Sequence, residues 1–108
     1  MAAEDEAKNR PVKPEESTVS EMEVVPPHRV MLHNDDVTPM DFVVEVLVSL
    51  FIPDRNKALE VMWAAHREKM ALVGVMPLER AEFRVERAHE RARANGYPLT
   101  FTIEPGGK

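Results

Sequence analysis

Asn34, Asp35 and Asp36 stand side by side in the string "LHNDDVTPM", residues 32–40, between the apolar run Val30-Met31-Leu32 and the pair Thr38-Pro39. Two carboxylates and an amide make a dense set of hydrogen-bond acceptors. His66, four residues after Met62, adds an imidazole elsewhere in the chain. Metal binding is one use for such groups, since His28, His33, Asp35, Asp36 and His66 are all of ligand type. Yet no two of them show a diagnostic ligand spacing, and His28 and His33, five apart on a strand, point to opposite faces. No metal and no cofactor are expected, and a small metal-dependent enzyme is a minor alternative. Serine hydrolysis fares no better: the serines are Ser17, Ser20 and Ser49, and no Gly-x-Ser-x-Gly elbow is present. There is no cysteine to supply a thiolate and no glycine loop to cradle phosphate. Without a nucleophile, the chain is not expected to be an enzyme.

A primary ammonium suits the acceptors better. It brings three donors and one positive charge to carboxylate, amide oxygen and neutral imidazole. An amine ligand, a lysine side chain and a peptide N-terminus all satisfy that chemistry, and the residues alone do not choose among them. Two plainer readings stand beside it. Asn and Asp favour a strand-to-helix corner because their side chains bond nearby backbone amides, and His66 shares a helical face with Leu59 and Met62, as a half-buried core residue would.

The elements that must position these groups follow from punctuation and periodicity. "HRVMLH" is short, apolar and bounded by Pro-Pro and Asn-Asp-Asp, which predicts a strand. "TPMDFVVEVLVSLF" begins a helix with Thr38 as N-cap and Pro39 as first helical residue, its core face being Phe42, Val43, Val46, Leu47 and Leu50. Ile52-Pro53 interrupts it, and Asp54 caps a second helix, "RNKALEVMWAAHREKM". "ALVGVM" reads as a strand. Pro77 opens a third helix, with Leu78, Ala81, Val85, Ala88 and Ala92 on one stripe and a charged opposite face. Asn95-Gly96 ends it, and "LTFTIE" alternates as a last strand. The order β-α-α-β-α-β in so short a chain predicts an α+β fold, a small antiparallel sheet with helices on one face.

Charge and composition narrow the setting. The chain of 108 residues carries a net charge of −5 and no basic footprint for nucleic acid. Residues 1–27 hold seven acids, three bases, four prolines and no aromatic, a composition that predicts a disordered acidic extension before a domain at 28–108. That extension is either a passive solubilising leader or an arm gripped by another protein. No apolar run approaches the roughly 20 residues of a membrane span, and the acidic amino terminus lacks the apolar core of a signal peptide. A soluble, cytoplasmic monomer is expected.

"RVMLHNDDVTPMDFVVEVL", with "KALEVMWAAH" and "ALVGV" after it, resembles the ClpS family of adaptors for bacterial and plastid Clp proteases, from about Arg29 to Ile103. The resemblance implies a three-stranded antiparallel sheet with three helices. It also implies capture of N-degron substrates whose first residue is Leu, Phe, Tyr or Trp, and their delivery to the N-terminal domain of a ClpA-type or ClpC-type AAA+ unfoldase. By the family pattern, Asn34, Asp35 and His66 hold the α-ammonium. Asp36, Thr38, Met40, Val43, Met62, Ala65 and Leu99 form the side-chain pocket, and Glu79 and Arg84 dock the unfoldase. The leader corresponds to the family's extension, used in delivery. This sequence departs from the pattern in four places. Val37 replaces a common aromatic, Ala65 replaces a valine, "HREKMA" lacks a glycine after the histidine, and Met76-Pro77 replaces a threonine cap. A generic peptide-binding module without N-terminal specificity is the alternative reading.

Overall fold

A computed structural model describes residues 26–106. The predicted disordered leader at residues 1–27 lies almost wholly outside the described residues. Strand β1 (Pro27–His33) is followed by helices α1 (Met40–Leu50) and α2 (Arg55–Glu68), strand β2 (Met70–Pro77), helix α3 (Leu78–Ala94) and strand β3 (Thr100–Pro105). The order is the one expected from the sequence, and the three strands form one antiparallel sheet, β2-β1-β3.

Alternation on β1 turns Val30 and Leu32 inward, where they meet the apolar stripes of all three helices. Val43, Val44, Val46 and Leu47 of α1 are buried, as are Ala58, Met62 and Ala65 of α2. On α3 the alanine stripe predicted from spacing is buried at Ala81, Ala88 and Ala92, with Val85 between them, so the helix lies close to the sheet. Each large core side chain, such as Leu32, Leu47 or Leu99, contributes about 1.5–3 kcal/mol by leaving water. The other face of the sheet leaves Met70, Leu72 and Val75 exposed.

Strand β2 changes phase partway. Its inward residues are Ala71 and Val73, then Met76, because the register with β1 slips between Val30 and Met31. Val73 is the extra residue of that bulge, and the slip turns Val75 outward while returning Met76 to the core.

Three terminal details differ from the sequence reading. Helix α1 begins at Met40 with Pro39 as N-cap, not at Pro39 with Thr38 as cap. Helix α3 likewise starts at Leu78, with Pro77 at its N-cap. Helix α2 stops at Glu68, two residues before the expected end, because Lys69 adopts a left-handed conformation (φ 78°) that closes it. "HREKMA", which lacks the glycine that the resemblance led one to expect, ends the helix on a lysine in a backbone conformation that glycine adopts readily. Asp54 caps α2 as predicted, its carboxylate accepting from the amides of Asn56 and Lys57.

Candidate functional site

The loop between β1 and α1 is organised by one side chain. Asp35 Oδ1 accepts from the amides of Val37 (2.8 Å) and Thr38 (2.6 Å), and Oδ2 accepts from the Thr38 hydroxyl (2.9 Å). Asp35 is therefore the member of the Asn-Asp-Asp string that performs the corner chemistry allowed for it, and it takes up the Thr38 hydroxyl that was expected to cap α1. A carboxylate has about four lone-pair sites, so these three bonds leave one acceptor position, on Oδ2. Thr38, buried by the turn, has its hydroxyl satisfied by that same carboxylate. The side chains of Asn34, Asp36 and His66 make no hydrogen bond to another described residue.

A backbone bond joins this loop to the end of α2: the Asn34 amide donates to the Lys69 carbonyl at 2.9 Å. His66, in the last turn of α2, thus stands beside the loop. Its ring is exposed to solvent and lies edge-on to Trp63, with centroids 5.7 Å apart. The half-buried core role that sequence allowed for it is not the one observed.

Loop and helix enclose a cavity of about 310 Å³, at the small end of ligand pockets. All ten residues expected to hold an ammonium or line a side-chain pocket border it: Asn34, Asp35, Asp36, Thr38, Met40, Val43, Met62, Ala65, His66 and Leu99. Its inner wall is apolar, with Leu32, Val43, Met62, Ala65 and Leu99 buried. The polar groups gather at the mouth, with Val37 and Met40 exposed beside them. Two carboxylates and no lysine or arginine line the space, so the mouth favours a cation while the interior favours a hydrocarbon chain. Leu32, His33 and Pro39 also border it and were not foreseen. Leu32 was detectable, since strand alternation puts it on the same face as Val30.

Leu99 owes its place to a second set of contacts that the sequence did not disclose. Arg93 Nη1 donates to the carbonyls of Tyr97 and Leu99, both at 2.8 Å. His89 Nε2 accepts the amide of Phe101 at 2.9 Å. Burial, and secondarily the Arg93 guanidinium, holds His89 below the ordinary histidine value of 6.5, which keeps it the neutral acceptor this bond requires.

Glu79 and Arg84, expected at an unfoldase interface, lie away from the cavity on α3. Glu79 is exposed in the first turn. Arg84 borders a shallow depression with Phe83, Leu50, Phe51 and Pro53. Two of the three histidines considered as metal ligands are engaged, His28 with the Pro26 carbonyl and His33 with the Thr102 hydroxyl. Among the described residues no three histidine, aspartate or glutamate side chains converge as a metal group, and no helix is long and apolar enough to cross a membrane.

A three-stranded antiparallel sheet covered on one face by three helices, with an acidic-mouthed apolar cavity at the first strand-to-helix corner, defines the class of domain. The family model described as "ATP-dependent Clp protease adaptor protein ClpS" matches residues 23–102. Among curated proteins, the chain is 46% identical over 76 residues to an ATP-dependent Clp protease adapter protein ClpS of Oleidesulfovibrio alaskensis, covering 70% of this chain and 73% of that one. It is 41% identical over 99 residues to ClpS 1 of Rhodopseudomonas palustris, covering 90% and 96%. Among solved structures, Agrobacterium tumefaciens ClpS2 bound to L-phenylalaninamide superposes with a TM-score of 0.73 at 38% identity, covering 76% of this chain and 99% of that one. The chain belongs to the ClpS family, the adaptors of the ATP-dependent Clp protease.

Proposed function

We propose that this chain is a non-enzymatic adaptor that binds the free N-terminus of proteins beginning with Leu, Phe, Tyr or Trp and presents them to a Clp unfoldase. The observation that carries the reading is the pairing of unsatisfied acceptors with an apolar cavity: Asn34, His66 and the open position on Asp35 stand at the mouth of a space for one bulky side chain. L-phenylalaninamide, the ligand of the Agrobacterium neighbour, has that combination of free ammonium and apolar side chain. In this scheme Asn34, Asp35 and His66 receive the ammonium, while Met62, Ala65, Val43 and Leu99 enclose the side chain. Asp36, Thr38 and Met40 complete the wall and rim. Ala65 in place of a larger residue leaves extra depth.

The energetics require both halves. Burying a Leu or Phe side chain contributes about 1.5–3 kcal/mol, and each hydrogen bond to a charged group adds about 1.5–3 kcal/mol. With association costing several kcal/mol, neither the cavity nor the acceptors alone would hold a peptide. An internal residue is rejected because its amide brings no charge and the preceding chain collides with the loop. Delivery uses the N-terminal domain of a ClpA-type or ClpC-type unfoldase, docked through Glu79 and Arg84, by a monomeric adaptor in the cytoplasm.

Fluorescence polarisation with peptides that differ only in residue one tests the reading. Leu, Phe, Tyr and Trp peptides bind and Ala, Ser and Glu peptides do not; acetylating the Leu peptide abolishes binding. A peptide bound equally well with its amine acetylated would identify a generic peptide-binding module instead.

A further inference from the structure

The outer surface of α3 is sorted by charge. Arg80, Arg84, Arg87 and Arg91 recur at spacings of four, three and four, so they share one edge of the helix, while Glu79, Glu82, Glu86 and Glu90 share another. Each Arg or Glu four residues from another is therefore paired with its own sign: Arg80–Arg84, Arg87–Arg91, Glu82–Glu86 and Glu86–Glu90. Like pairs at that spacing weaken a helix, whereas opposite pairs would strengthen it. Among the described residues the sole ion pair is Arg29–Glu104, so the arginine edge takes no counter-charge from the folded domain. Beside it, Phe83 is largely exposed and carries the Arg87 guanidinium 5.1 Å from its ring centre.

A counter-charge is present in the same chain. Residues 1–27 hold seven acids against three bases. They join the domain at β1, whose first residue, Pro27, is paired with Pro77, the N-cap of α3. The acidic segment thus leaves the domain beside the first turn of α3. From Arg80 to Arg91 the edge is about 17 Å long at roughly 1.5 Å per residue, and the stretch from Pro26 back to Glu15 reaches about 35 Å when extended.

We infer that the segment bearing Glu15, Glu16, Glu21 and Glu23 docks along the arginine edge of α3 and covers Phe83 and Arg84. Docking does not depend on ammonium recognition, which uses other residues.

The chain has no cysteine, so S20C in the full chain carries a single nitroxide label in the leader. Amide signals of residues 80–91 are expected to broaden several-fold more than those of α2. The effect should vanish near 1 M salt, where the screening length is about 3 Å, and in R80Q/R87Q with its folded spectrum retained. Even broadening over the whole surface, broadening centred on the exposed face of the sheet, or broadening that survives both salt and R80Q/R87Q overturns the inference. Titrating the same samples with a Leu-initiated peptide reads the proposed function separately: absence of binding there counts against N-degron capture and leaves the docking result intact.

Discussion

Along the seam between α3 and β3, His89 and Arg93 reach across to backbone groups and satisfy them: the Phe101 amide, and the carbonyls of Tyr97 and Leu99. At the cavity mouth, Asn34, Asp36 and His66 point polar side chains at no described partner, and Asp35 keeps one acceptor position open. The two regions meet at Leu99, whose carbonyl belongs to the seam and whose side chain belongs to the cavity wall. Saturated hydrogen bonding holds a wall in place, and unsaturated acceptors at its edge wait for donors from outside. The contrast separates groups that build the domain from groups left unpartnered at the cavity mouth, and Asp35 belongs to both.

Asp35→Ala should break the contrast most severely, because it removes the loop's organiser together with a ligand acceptor. Peptide binding is expected to fall below detection by polarisation, with a loss of about 1–3 kcal/mol in unfolding free energy from the freed amides of Val37 and Thr38. His66→Ala touches the mouth alone: about 10- to 100-fold weaker binding by calorimetry, with thermal stability unchanged.

The seam is sharpened by His89. Its folded-state value lies below 6.5, so the unfolded chain binds the proton more readily. Stability is full above that value and declines as pH falls through the folded-state value. His89→Gln, a neutral side chain at every pH, should flatten that decline in chemical denaturation, with little change in peptide affinity at neutral pH. The smallest effect is expected from Lys69→Gly. Relieving the positive φ of a non-glycine residue should add about 0.5–1 kcal/mol and raise Tm by a few degrees, leaving affinity where it was.

Much of the architecture was legible because prolines, glycine and Asp54 punctuate the chain at nearly every element boundary. The α3 stripe of Ala81, Val85, Ala88 and Ala92 announced its buried face directly. The bulge at Val73 was hidden, since "ALVGVM" is apolar throughout and shows no alternation to reveal a phase change. Thr38 was misassigned because Thr-Pro imitates a helix start, and only the bond distances identify Asp35 as the residue that shapes the corner. In the site, residue chemistry singled out Asn34, Asp35, Asp36 and His66, while the apolar wall came from family resemblance. His89 and Arg93 escaped both approaches, as their partners are backbone atoms that no side-chain pattern marks.

The bond from the Asn34 amide to the Lys69 carbonyl uses main-chain atoms only. Only proline at position 34 would remove the donor, while position 69 asks for a residue that tolerates a left-handed backbone (φ 78°). Mutation can therefore exchange the upholstery of the chamber, at positions such as Val37, Met40 or Ala65, without removing the main-chain bond that ties the loop to α2. Single substitutions on that lining can reshape the space while the corner that frames it stays folded.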